Sequence, residues 1–159
     1  MKMNLCCDVI SRLQGKTLVT AESLTGGGIG AAITEVPGSS AVYKGGVICY
    51  TDAVKNTVLG VPEEILREFG AVSAQTARHM AFGVRRLLHS DIAVSVTGLA
   101  GPGGDEYGNP VGTVFIGYED QTRSEVHQFI FSGNREAVRN QTVEAALKLI
   151  LDNYHISDS

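Results

Sequence analysis

Tryptophan is absent from this 159-residue chain, and cysteine occurs three times, at positions 6, 7 and 49. So sparse and odd a count fits a reducing cytoplasm, and the spacing makes no zinc site. No basic run is present, and the net charge is −4. Both facts argue against nucleic acid or an anionic membrane as the main partner. Apolar runs stay strand-sized, as in DIAVSV (91–96), so no segment is expected to span a bilayer. The N-terminus, MKMNLCCDVISRLQGK, carries Asp8 within its apolar part and lacks a small-residue cleavage site. It reads as an amphipathic helix, not a signal peptide. Repeats, linkers and low-complexity segments are also missing, so residues 1–159 are expected to form one domain.

What the chain does have is glycine, 19 residues of it in clusters. Between the clusters, strand-like and helix-like stretches alternate. TLVTA (17–21) reads as a buried strand, and TGGGIGAAITEV (25–36) as a glycine-led helix ending at a Pro37-Gly38 turn. GGVICY (45–50) is a second strand. TDAVKNTVLG (51–60) is a short helix capped by Thr51 or Asp52. PEEILREFG (62–70) is another, with proline at its first position. Ser73 can cap the next helix, whose Ala77, Met80, Val84 and Leu87 or Leu88 share a face. DIAVSV is a third strand, followed by the loop TGLAGPGGDEYGNPVG (97–112). A hairpin closes around Asp120-Gln121-Thr122, and Asn134 caps a last helix with Val138, Thr142, Ala145, Ala146, Leu149 and Ile150 on one face. The expected fold is a three-layer α/β/α domain with a mixed sheet.

In such sheets ligands sit outside the C-terminal ends of the strands. AESLTGGG, YTDAVK and TGLAGPGG follow the three predicted strands, so all should line one rim. Gly26, Gly27 and Gly101 let backbone N–H groups approach a ligand closely, and the helix after the first cluster suits an anion or oxyanion. GGGIGA also matches G-x-G-x-x-A, with Asp52 downstream, which leaves an NAD-dependent oxidoreductase as one reading. A second reading starts from VPGSSAVYKGGVICYTDAVK. Two serines, Tyr50 and one of only five lysines, Lys55, lie together there with no histidine. A buried lysine can serve a serine nucleophile as base. The plain alternative is a turn, a strand and a solvated helix. The histidines compete poorly: His79 and His89 fall on a helix, His127 in a strand and His155 in the tail. Cys49 reads as a small core residue. Arg135 stands at the start of the last helix, where the dipole disfavours a cation, which hints at a bound anion.

AESLTGGGIGAAITEVPGSSAVYKGGVICYTDAVKNTVLGV, GAVS, VSVTGLAGPGG, PVGTVFIG and FSGNREAVRNQTVEAAL, in this order, resemble the CinA C-terminal domain family, from about Thr17 to about Leu151. That family includes nicotinamide-nucleotide amidases. The longer members carry an additional N-terminal domain, so the chain resembles the stand-alone form. The resemblance implies hydrolysis of nicotinamide mononucleotide to nicotinate mononucleotide and ammonia, without metal or cofactor. It also implies Ser40 as nucleophile, Ser23 as proton shuttle and Lys55 as base, with Tyr50, Thr97 and Arg135 lining the site. It implies at least a homodimer. The match departs at Leu24, where many relatives have cysteine, and this should alter packing beside Ser23. A nucleotide-binding module that acts through a protein partner without chemistry remains the alternative.

Overall fold

The computed structural model describes residues 1–154; His155 lies outside them. Five strands form one sheet in the order β2-β1-β3-β4-β5. They are β1 (Leu18–Glu22), β2 (Tyr43–Ile48), β3 (Ile92–Gly98), β4 (Thr113–Glu119) and β5 (Ser124–Ile130). β1 pairs in parallel with β2 and β3, β4 is antiparallel to β3, and β5 is antiparallel to β4. The sheet is therefore mixed, as the alternating pattern predicts. A parallel strand flanked on both faces should be apolar throughout, and β1 is buried at every position.

Side chains of β1 alternate between two cores. Leu18 joins Ile92, Val94 and Val96 of β3 beneath α1 (Lys2–Arg12), α2 (Gly28–Thr34) and α6 (Arg135–Asn153). Val19 and Ala21 face the other way, towards α3 (Asp52–Thr57), α4 (Glu63–Phe69) and α5 (Ala74–Leu87). These helix layers make the domain α/β/α. The chain leaves β1 by α2 to reach β2, then crosses back over the opposite face to β3. The order thus reverses at β1, and the C-terminal ends of β1 and β3 flank a switch point, where a crevice opens.

The helix ends follow local chemistry. Thr51, Ser73 and Asn134 each accept a bond from the backbone N–H three residues on, at Val54, Thr76 and Ala137. Thr51, not Asp52, is thus the cap of α3. Pro62 stands one residue before α4, so its fixed φ leads into the helix from outside. On α5, Ala77, Met80 and Val84 are buried and Leu87 is exposed, and Leu88 packs against the core instead. A 3₁₀ turn at Ser39–Ala41 connects α2 to β2.

Gly83 lets α5 press against the end of the α3 segment: a Cβ there would collide with the backbone carbonyl of Leu59. Alanine is the better helix former by about 1 kcal/mol. Overpacking against rigid backbone costs roughly 1–3 kcal/mol and should win. Gly83→Ala is therefore expected to lower the thermal midpoint, despite the gain in propensity. A raised midpoint in a melting experiment would show that Leu59 yields.

Candidate active site

Beyond the last residue of β1 the chain turns sharply, and Ser23 N–H donates to Val96 O of β3. This ties Ser23 to the switch point. Its side chain continues the Val19–Ala21 side of the strand, towards α3. Lys55 arrives there from the second turn of that helix. Its side chain is 1% exposed, although α3 itself is a short surface helix. Nζ lies 2.9 Å from Cys49 O and 3.1 Å from Ser23 Oγ, and it donates to both. Burial holds the amine below the ordinary lysine value of 10.5, and the neighbouring Cys49 and Asp52 pull back only partly. The same burial pushes the Cys49 thiol up to about 11, so it stays protonated and behaves as a core residue.

The Ser23–Lys55 pair opens into a cleft of about 300 Å³. Leu24, Asp52, Val72 and Thr97 line it, with the 98–103 loop on one side. Thr97 donates its hydroxyl to Ala71 O at 2.7 Å, which fixes the wall between β3 and α5. Arg135 stands over the mouth. Nη1 donates to Gly101 O at 2.6 Å and Nη2 to Tyr50 Oη at 2.8 Å. One guanidinium therefore joins α6, the 99–112 loop and the β2–α3 connection.

Five of the residues named from sequence meet here: Ser23, Lys55, Tyr50, Thr97 and Arg135. Gly101 also lines the cleft, yet it presents its carbonyl to Arg135. Three others do not meet. Ser40 is exposed in the 3₁₀ turn before β2, whereas the cleft lies past the far end of that strand. Six residues of strand separate the two ends by roughly 17–20 Å, so Ser40 cannot touch Lys55 of its own chain. Gly26 and Gly27 lie within the turn after Ser23, against Arg139 and Ile48, and do not line the cleft. Two amides of the helix expected to greet an anion, those of Ile29 and Gly30, are already taken by the buried Glu22 carboxylate. The same bonds deny the G-x-G-x-x-A segment a pyrophosphate site.

Sequence reading missed Glu22 and Arg139. Glu22 was visible as an acid at the end of an apolar strand, ahead of a helix with no side-chain cap. Arg139 follows Arg135 by one helical turn and donates Nε to Leu24 O and Nη2 to Thr25 O. A larger groove of about 620 Å³ between β5 and α6 holds Phe129, Phe131 and Leu149 but no nucleophile–base pair.

Similar proteins match this chain over most of its length. The family profile described as the CinA C-terminal domain matches residues 4–154. A CinA-like protein of Endomicrobium trichonymphae is 50% identical over 135 residues, 85% of this chain and 32% of its own length. One of Thermotoga neapolitana is 44% identical over 133 residues, 84% of this chain and 32% of its own. The chain thus spans about a third of the curated relatives it matches. The solved CinA superfamily protein of Escherichia coli superposes with a TM-score of 0.95 at 31% identity, covering 97% of this chain and 91% of that one. The Klebsiella pneumoniae protein gives 0.93 at 35%, covering 96% of each. In sequence and in fold, the chain belongs to the CinA C-terminal domain family.

Proposed function

We propose that the chain is an amidohydrolase that converts nicotinamide mononucleotide to nicotinate mononucleotide and ammonia. The carrying observation is a buried lysine amine 3.1 Å from a serine hydroxyl at the floor of a cleft. The substrate comes from the family resemblance, and the Arg135 guanidinium at the mouth suits its phosphate. The cleft falls at the lower end of the size range for small-molecule sites, roughly 300–1,000 Å³.

Lys55 acts as a base only when neutral, and burial favours that form. The Ser23 hydroxyl then donates to the Nζ lone pair across the same short distance. As Oγ attacks the carboxamide carbon, its proton passes to Nζ and the carbonyl π pair moves onto oxygen. The Leu24 N–H has no hydrogen-bond partner among the described residues and follows the nucleophile directly, so it serves as an oxyanion donor. The tetrahedral intermediate collapses, and the leaving nitrogen takes the proton from Nζ and departs as ammonia. Water, deprotonated by Nζ, attacks the acyl carbon and returns Ser23 to its starting state. Ser40, the nucleophile implied by the family resemblance, stands outside this sequence of steps within one chain.

Ammonia release from nicotinamide mononucleotide by metal-free protein tests the reading. Binding without turnover would leave a nucleotide-binding module. Ser23→Ala should lose about 10³-fold or more in kcat, and Ser40→Ala should stay within about threefold. The reverse pattern would mean that Ser40 serves the cleft of a neighbouring copy. Activity should rise with pH as Lys55 loses its proton, with a midpoint below 10.5, and Lys55→Arg should abolish that limb.

Stability should rise with pH alongside activity at Lys55, whereas substitution of the lysine should separate the two. Its folded pKa is depressed, so the unfolded chain binds more protons between the folded value and 10.5. The cost of burying the amine is therefore full below the folded pKa and fades as pH rises to 10.5. Lys55→Met is expected to melt higher than wild type near neutrality, with the difference shrinking at alkaline pH. An unchanged or lower midpoint at pH 7 would contradict this.

Arg135→Ala loses a charge-assisted bond to phosphate of about 1.5–3 kcal/mol, so KM should rise roughly tenfold to a hundred-fold. The same variant should be no worse than wild type on nicotinamide riboside, which has no phosphate. An equal penalty on both substrates would reduce Arg135 to a structural strap between Gly101 and Tyr50.

A further inference from the structure

Glu22 ends β1 and directly precedes Ser23, yet it is 2% exposed and takes no part in the steps above. Alternation along the strand sends its side chain to the face opposite Ser23. There Oε1 accepts from Thr25 Oγ1 at 2.6 Å and Ile29 N at 2.8 Å. Oε2 accepts from Gly30 N at 3.1 Å and Thr20 Oγ1 at 3.2 Å. All four partners are donors, the arrangement that makes a buried carboxylate tolerable. Tyr43 Oη, 2.7 Å from Thr20 Oγ1, carries the network on to β2. One side chain thus fastens the end of β1, the turn after Ser23 and the first turn of α2.

That turn has little to hold it otherwise. Gly26 and Gly27 both have positive φ, at 60° and 100°, and two internal bonds close it, from Gly26 N to Ser23 O and from Gly28 N to Thr25 O. Such a segment is permissive by itself. Two clamps act on it from outside. Arg139 takes the carbonyls of Leu24 and Thr25, and Glu22 takes the Thr25 hydroxyl and the α2 amides. In a trans peptide the N–H points away from its C=O. Ser23 O faces the turn interior, so the Leu24 N–H faces outward. The clamps therefore set both the Ser23 Oγ–Lys55 Nζ approach and the direction of that free amide.

We propose that Glu22 is the positioning residue of the Ser–Lys pair. It acts through the Ser23–Gly28 turn, not by contact with substrate, and the proposal rests on Ser23 being the nucleophile. Glu22→Gln keeps the shape but sets an NH₂ group against donors, which must shift the turn. A misplacement near 1 Å at a reacting atom costs about 10²-fold, so kcat on nicotinamide mononucleotide should fall by about that factor. KM should stay within about threefold, because Arg135 is untouched.

The second readout is independent of amidase turnover. A fluorophosphonate reagent forms a phosphorus–oxygen bond to Ser23 Oγ, expels fluoride and leaves its proton to Lys55; Ser23→Ala is the unlabelled control. The labelling rate of Glu22→Gln should fall in step with kcat. The calorimetric Kd for nicotinate mononucleotide should stay within about threefold. Thr25→Val removes one of the four donors and should show a loss of about tenfold in both rates, which covers the case that Glu22→Gln does not fold. Rates within about twofold of wild type for the folded variants would overturn the proposal. So would a Kd that worsens in parallel with the rates, since that marks general collapse of the cleft. If wild type labels at Ser23 but releases no ammonia, the amidase reading fails and the labelling rates still decide the role of Glu22. A wild type that does neither overturns both.

Discussion

A primary amine held out of water beside a single hydroxyl is the constraint on which this domain turns. A charged ammonium is costly to bury, so the fold must either pair it with a carboxylate or let it shed its proton. Here Lys55 Nζ has a backbone carbonyl and a serine, with no carboxylate in hydrogen-bond contact among the described residues. That choice leaves the amine able to shed its proton. It also requires α3 to sit low on the sheet with its lysine turned inward, although sequence position alone would place that lysine in solvent. α4, α5 and the Tyr107 hydroxyl, which donates to Arg67 O at 2.8 Å, close the layer around it.

The elements were legible because their signals are local. Thr51, Ser73 and Asn134 cap helices through bonds that span three residues, and the α5 face repeats at helical spacing. The rim was legible for the same reason that ligands collect there: Ser23 and Lys55 follow the C-terminal ends of β1 and β2, and Thr97 is the penultimate residue of β3. Ser40 shows the limit of such reasoning. A motif string gives order along the chain but not which end of a strand a residue occupies, and PGSS precedes β2 where YTDAVK follows it. TGGG shows another limit. Glycines ahead of a helix advertise free amides, yet a carboxylate seven and eight residues back had already claimed those of Ile29 and Gly30. Occupancy of a donor is a tertiary fact.

Two arginines one turn apart on α6 divide the labour at the mouth. Arg139 points its donors at the backbone of the Ser23 turn, and Arg135 points its own across the cleft to Tyr50 and Gly101. The inner one supports the turn that carries Ser23, and the outer one meets solvent. A phosphate reaching Arg135 competes with an oxygen already bound there, so part of its binding energy goes into rearranging the strap.

The groups of the cleft also lie far apart along the chain. Lys55 and Ser23 are separated by 32 residues, Arg135 and Tyr50 by 85, and Arg139 and Leu24 by 115. Contacts of such separation reward the chain only after long loops have closed. The cleft therefore assembles in stages: its Ser23–Lys55 floor needs β1, β2 and α3, whereas its Arg135 mouth and the Arg139 clamp wait for the docking of the last helix. A nascent chain that has not yet released α6 can have the floor of the cleft without its mouth.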